Sequence, residues 1–104
     1  SLFYKPRRYK YLADIVRIDS VENARRAVQR LWEEFRSAKT YAKKMRIARA
    51  VNMAANIAHV FVIRRNISPK EREEKARVER IYREAARRMF EELRELKSRA
   101  THTT

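Results

Sequence analysis

The sequence offers few side chains with the types and spacing for covalent or acid–base chemistry. It has two histidines, His59 and His102, and no cysteine. His59 follows Asn52 and Asn56 at i, i+4 and i+7, so the three form one polar line along a helix. A general base needs an orienting partner, and no Asp, Glu or second His stands near His59 in the sequence. The line therefore reads as a hydrogen-bonded ridge or a narrow exposed strip. His102 lies in residues 100–104, which read as a frayed tail. Asp14 and Asp19, the only aspartates, both fall in the N-terminal segment. The adjacent carboxylates Glu33-Glu34, Glu73-Glu74 and Glu91-Glu92 would point about 100° apart on a helix, too far to share a proton-transfer task. With no glycine, a P-loop or GxGxxG turn cannot be built, and no HExxH occurs. These observations lead to the expectation of a non-enzymatic protein with no metal and no cofactor.

The chemistry that the residues do support is electrostatic. Lys and Arg total 27 against 13 Asp and Glu, a net charge of +14. Such an excess opposes compaction by self-repulsion and points to a partner of opposite sign. Its distribution matters more than its sum. Residues 1–19 carry five basic and two acidic groups, residues 20–40 five and three, and residues 68–104 eleven and eight. Residues 41–67 carry six basic groups and no acid. In the last segment, Glu71–Lys75, Glu73–Arg77, Glu79–Arg83, Glu84–Arg88 and Glu95–Arg99 are i,i+4 pairs in the favourable order, which makes that charge self-neutralising.

Three groups of cations remain. Lys43, Arg46 and Arg49 are expected within about 60° of one another on the helical wheel, opposite Tyr41, Met45 and Ala48. Arg64 and Arg65 close the same segment, where cations also complement a helix dipole. Lys5, Arg7, Arg8 and Lys10 alternate with Phe3, Tyr4, Tyr9 and Tyr11 in a basic N-terminal arm. Basic residues can neutralise phosphates while aromatic rings stack on bases, although the same rings could dock the arm on a core. Lys5, Arg7, Arg8, Lys10, Lys43, Arg46, Arg49, Arg64 and Arg65 are thus the candidate nucleic-acid contacts.

The elements that must carry these groups are helices. Zero glycines and two prolines leave little support for hairpins. Asn66-Ile67-Ser68-Pro69-Lys70-Glu71 is a helix boundary, with Asn66 as a left-handed C′ residue, Ser68 as N-cap, Pro69 at N1 and Glu71 at N3. After it, Val78, Ile81, Tyr82, Ala85, Met89, Leu93 and Leu96 form one apolar stripe on a helix from Pro69 to Ser98. Its charged first turns, Lys70 to Arg77, are expected to project beyond the core. An earlier helix starts at Asp19-Ser20-Val21-Glu22, where Asp19 and Glu22 have capping-box spacing, and ends near Lys39, with Val21, Ala24, Val28, Leu31 and Phe35 repeating 3-4-3-4. Thr40 caps a middle helix over Tyr41–Arg65. Its first half opposes Tyr41, Met45 and Ala48 to the cations, while Val51 to Ile63 is apolar around the whole axis and so is expected to be buried all round. Either the segment Tyr11–Ile18 covers it, read as a short helix although Ile15-Val16-Arg17-Ile18 also suits a strand, or a second protomer does.

The expected fold is all-α: an up-down bundle of three long helices plus a short N-terminal helix, with an arm at residues 1–10, one domain at 11–99 and a tail at 100–104. No stretch is long and apolar enough to span a bilayer, so a soluble, cytoplasmic protein is expected, or one packaged with nucleic acid in a nucleoprotein or virion. High Arg and Glu with few Asn and Gln fit a thermophilic source. The function expected is sequence-independent nucleic-acid binding, DNA rather than RNA, of architectural or packaging type, as in a chromatin or virion coat protein. Homo-oligomers or a larger assembly would form through the Met53/Ile57/Val60 face. The alternatives are a helical subunit of a ribonucleoprotein or protein assembly, and a sequence-specific helix-turn-helix regulator. Against the last, flanking helices of this length and three carboxylates in Lys70–Lys75 suit neither the motif nor a phosphate backbone. In layout, a basic arm ahead of a helical bundle, the chain resembles the DNA-coating capsid proteins of filamentous archaeal viruses.

Overall fold

A computed structural model describes residues 7–102, with side chains described for 11–100. Four helices follow one another: α1 (Arg7–Ile15), α2 (Val21–Ser37), α3 (Tyr41–Val62) and α4 (Pro69–His102). No strand occurs among the described residues. The helices pack together in a body of 55 × 28 × 22 Å, the long dimension set by α4, whose 34 residues extend about 50 Å.

Side-chain caps fix where the helices begin. The Thr40 hydroxyl accepts from the Lys43 N–H at 3.1 Å, and the Ser68 hydroxyl accepts from the Glu71 N–H at 3.1 Å, each satisfying an otherwise orphaned donor. At α2 the cap is Ser20, whose hydroxyl accepts from the Asn23 N–H at 3.1 Å. Asp19, one residue earlier, instead accepts from the Asn23 side-chain amide at 2.9 Å, and that bond lowers its carboxyl pKa. The first helix starts at Arg7, four residues ahead of Tyr11, so Arg7, Arg8 and Lys10 lie on helical backbone. At the other end α4 continues to His102, past Ser98 and into the expected tail.

The end of α3 departs from expectation. The helix closes at Val62 instead of Arg65, and no described residue, Asn66 included, has a positive φ. Ile63 sits at φ −90°, ψ 0°, and its N–H reaches the His59 carbonyl at 3.2 Å, while the Arg64 N–H turns back to the Phe61 carbonyl at 3.3 Å. The Arg72 guanidinium donates to the Val62 carbonyl. A side chain from α4 thus supplies one of the bonds that a left-handed C′ residue would have made.

The core draws on every helix: Leu12 and Ile15 from α1, Ala24, Ala27, Leu31 and Phe35 from α2, Ile47, Val51 and Ala58 from α3, and Val78, Tyr82, Met89 and Leu93 from α4. Ala48, Ala54, Ala55 and Ala58 make the buried side of α3 a row of small residues, which lets neighbouring helices approach closely. Tyr82 is fully buried, and its hydroxyl donates to the Arg17 carbonyl at 2.6 Å and accepts from the Arg17 N–H at 3.0 Å. This ties the α1–α2 connection to α4. Nearby, Lys75 donates to the Ile18 carbonyl at 2.6 Å and lies over the Phe61 ring. The first turns of α4 are therefore stitched to the rest of the chain through Arg72 and Lys75 and do not project free of it.

The second half of α3 is not buried all round. Met53, Ile57 and Val60 are 58%, 42% and 49% exposed. Helix α1 packs against α2 and α3, yet it leaves this stripe open.

Candidate nucleic-acid interface

The positions of the carboxylates determine which cations remain available. On α4, Glu73–Arg77, Glu79–Arg83 and Glu84–Arg88 close at 3.0, 3.0 and 3.1 Å, and Glu95–Arg99 at 3.9 Å. Arg87–Glu91 adds a pair of the reverse order at 2.7 Å. The expected Glu71–Lys75 pair is replaced by the Lys75 contacts with Ile18 and Phe61. Exposed pairs of this kind stabilise by roughly 0.3 kcal/mol each, but they neutralise most of the helix's carboxylates against its own arginines.

The structure separates the Lys43, Arg46 and Arg49 set. Three-residue steps accumulate, so the outer two point about 120° apart. Lys43 and Arg49 are exposed, and among the described residues neither has a carboxylate within salt-bridge distance. Arg46 is half-buried, and its charge acts on the Tyr11 phenol of α1, as does that of Glu34 of α2. Burial raises the Tyr11 phenol, Glu34 raises it further, and Arg46 opposes both. Arg46 is therefore less exposed than Lys43 and Arg49 and lies close enough to α1 for its charge to be felt at Tyr11. Lys44 is likewise committed to structure, donating to the Phe35 carbonyl at 2.6 Å and lying over that ring.

At the far end of α3, Arg64 stacks on Phe61 at 4.2 Å from the ring centroid, and Arg65 is exposed. Lys5 lies outside the described residues, and the side chains of Arg7, Arg8 and Lys10 do as well. Two cations on the outer face of α2, Arg25 and Arg30, were not singled out from the sequence. Both are exposed and, among the described residues, unpaired, because Glu22 pairs with Arg26 at 2.6 Å and Glu34 lies toward Tyr11. The missed signal is that α2 carries more arginines on its outer arc than the glutamates beside them can match.

The polar line of α3 is a hydrogen-bonded ridge. Arg83 donates to the side-chain oxygens of Asn52 and Asn56 at 3.1 and 2.8 Å, and to Glu79 at 3.0 Å. The other Glu79 oxygen lies 3.0 Å from His59 Nδ1. Burial alone would raise the Glu79 carboxyl, but the hydrogen bonds and charges of Arg83 and His59 outweigh it and hold the group below its ordinary range. His59 has no partner nearby in the sequence, since Glu79 is twenty positions away and arrives only when α4 folds back on α3.

Elsewhere, Tyr41, Lys44, Leu96, Lys97 and Ala100 line a shallow, largely apolar cleft of about 410 Å³ between the start of α3 and the end of α4. Among the described residues, no three His, Cys, Asp or Glu side chains are grouped to hold a metal ion, and no helix is long and apolar enough to cross a membrane. No protein-family model, no curated protein and no solved structure matches this chain.

Proposed function

We propose that this chain is a non-enzymatic nucleic-acid-binding protein that holds DNA by its phosphate backbone, without reading sequence, in an architectural or packaging role. The observation that carries the reading is the partition of charge. Carboxylates are concentrated on α4, where most are consumed by neighbouring arginines, while residues 41–67 bear six cations and no acid. Lys43, Arg49 and Arg65 stand exposed without a described counter-ion, and Arg25 and Arg30 extend the basic surface onto α2. Lysines and arginines on helix surfaces neutralise phosphates but carry little base information, so weak sequence dependence follows. In this reading the three long helices run up and down, which their short connections favour, and the arm with Lys5, Arg7, Arg8 and Lys10 adds further phosphate contacts.

The test is charge reversal at exposed positions only. The triple variant Lys43→Glu, Arg49→Glu, Arg65→Glu is expected to retain its helical circular dichroism and to bind duplex DNA at least tenfold more weakly. Its salt slope should be shallower by about 2 to 3, one phosphate contact for each lost cation. Unchanged affinity would move the site away from α3.

A second reading, a subunit of a larger assembly, is supported by the exposure of Met53, Ile57 and Val60. Single exposed apolar residues are ordinary, whereas three at consecutive helical turns form a stripe that could join another chain.

A further inference from the structure

The geometry points to a phosphate-binding row on α3, in which Arg49, Asn52, Asn56 and His59 donate to a nucleic-acid backbone and His59 takes up a proton on binding. The inference rests on the nucleic-acid reading above and gives it a defined place on the surface. A guanidinium has no acceptor, so the side-chain atoms that meet Arg83, at 3.1 Å from Asn52 and 2.8 Å from Asn56, are carboxamide oxygens. Both amide NH2 groups are thereby turned away from the guanidinium, and among the described residues neither has a partner. Glu79 is committed in the same way. One of its oxygens accepts from Arg83 at 3.0 Å and the other lies 3.0 Å from His59 Nδ1. A carboxylate held ionised only accepts, so Nδ1 carries a proton and Nε2 is left for a ligand, on a side chain that is 52% exposed. The ridge has used its acceptors internally and kept donors for the outside.

Such a row suits a ligand that offers acceptors and no donors, which describes phosphodiester oxygens. A peptide backbone would bring an N–H for every carbonyl, and bidentate reading of adenine would need the oxygens that Arg83 occupies. Glu79 cancels the charge of Arg83, and the attraction comes from Arg49. It stands three residues before Asn52 and seven before Asn56, on the same side of α3, exposed and without a described counter-ion. Arg49 to His59 spans about 15 Å of helix, enough for several successive phosphates of one strand. Residues 50–63 contain no Lys or Arg, so the row continues the anion track across the interval between Arg49 and Arg64. His59 makes the track pH-sensitive. In the tautomer set by Glu79, a neutral ring turns a lone pair on Nε2 toward the phosphate, whereas a protonated ring donates there with a positive charge. The charged groups that meet the ridge from α4 are Glu79, which favours the imidazolium, and Arg83, which opposes it, and α3 itself carries no carboxylate. A bound phosphate adds a second anion on the far side of the ring. Binding then favours the proton, and by linkage the proton favours binding to the same extent.

The chain has two histidines, so His102→Gln leaves His59 as a single imidazole reporter. In that full-length background, affinity for a short DNA duplex at fixed ionic strength is expected to be about tenfold higher at about pH 5.5 than at about pH 8, on either side of where histidine ordinarily changes charge. Adding the duplex at about pH 7 should move the His59 ring resonances toward the protonated position. His59→Gln should bind equally at both pH values. Asn52→Leu with Asn56→Leu, which changes no charge, should keep its helical circular dichroism and bind the duplex at least fivefold more weakly at both. Equal wild-type affinity at the two pH values, a pH dependence that survives His59→Gln, or full affinity in the double leucine variant would overturn the inference. So would ring shifts produced by inorganic phosphate and not by the duplex, which would assign the row to a free anion. Salt-dependent duplex binding that leaves the His59 resonances unmoved overturns the row alone. Absence of any DNA binding overturns the nucleic-acid reading together with it.

Discussion

Replacing Tyr82 by phenylalanine tests how the N-terminal helix is held to the bundle. The ring is fully buried, and phenylalanine preserves its packing while deleting one oxygen. That oxygen serves both backbone groups of Arg17, accepting from the N–H at 3.0 Å and donating to the carbonyl at 2.6 Å. Both groups sit at a part-buried site, so water regains some of what is lost. Leaving a buried polar group unpaired costs about 1–3 kcal/mol, and two partly hydrated groups together should cost about 2 kcal/mol. With an unfolding entropy near 2.1 cal/mol/K per residue, a domain of this length should lose about 9 °C in Tm, read by calorimetry or circular dichroism at neutral pH. The N-terminal segment should also be cut faster by protease under native conditions, because its anchor is weaker. There is an alkaline signature as well. Burial raises the phenol above its ordinary 10.0, with Asp19 adding to the shift and the Arg17 bond and charge opposing it. A group raised in the folded state contributes stability that is whole below the unfolded value and is lost as pH rises through the folded one. That alkaline loss should vanish in Tyr82→Phe. A Tm change under about 2 °C, with the alkaline limb unaltered, would refute the reasoning.

Glu79 gives the acid counterpart. Its carboxyl lies below the ordinary 4.5, so its contribution is complete above that value and is lost as pH falls through the folded pKa. Glu79→Gln is expected to flatten the acid limb of a stability-versus-pH curve below pH 4.5, and an unchanged limb would contradict the network with Arg83 and His59. Lys75→Met removes the donor to Ile18 and the charge over Phe61 and should cost about 1–2 kcal/mol in a denaturant melt, whereas Lys70→Met, at an exposed position, should stay within about 0.5 kcal/mol. Equal effects would mean that the first turns of α4 are not stitched to the chain. Arg25→Glu with Arg30→Glu should weaken DNA binding several-fold without lowering Tm, measured by anisotropy and thermal melt, and intact binding would confine the interface to α3 and the N-terminal segment.

Local signals were legible at two helix starts and one residue off at the third, where Ser20 rather than Asp19 caps α2. Thr40 and Ser68 were visible as caps because the donors they satisfy lie three positions away. The stripe of α4 was visible because one face of a long helix repeats often enough to stand out. What escaped was decided by contacts distant in sequence. Asn66 was expected in the left-handed region, but Arg72 of α4 already serves the Val62 carbonyl. Arg46 has the residue type and spacing of Lys43 and Arg49, and its partial burial beside α1 depends on how distant helices pack. The apolar girth of α3 suggested complete burial, but hydrophobicity says nothing about how many neighbours arrive. Met53, Ile57 and Val60 remained open because α1 is short and packs elsewhere on the helix.

The central claim is that unpaired cations hold a polyphosphate backbone, and salt tests it most directly. Binding of the full chain to duplex DNA, single-stranded DNA and RNA should be measured across a range of ionic strength. Neutralisation of about six phosphates on a duplex predicts that log K falls with log salt at a slope near −5, shallower on single strands, with little difference between duplex sequences. Salt-insensitive binding, or no binding to any of the three, would contradict it.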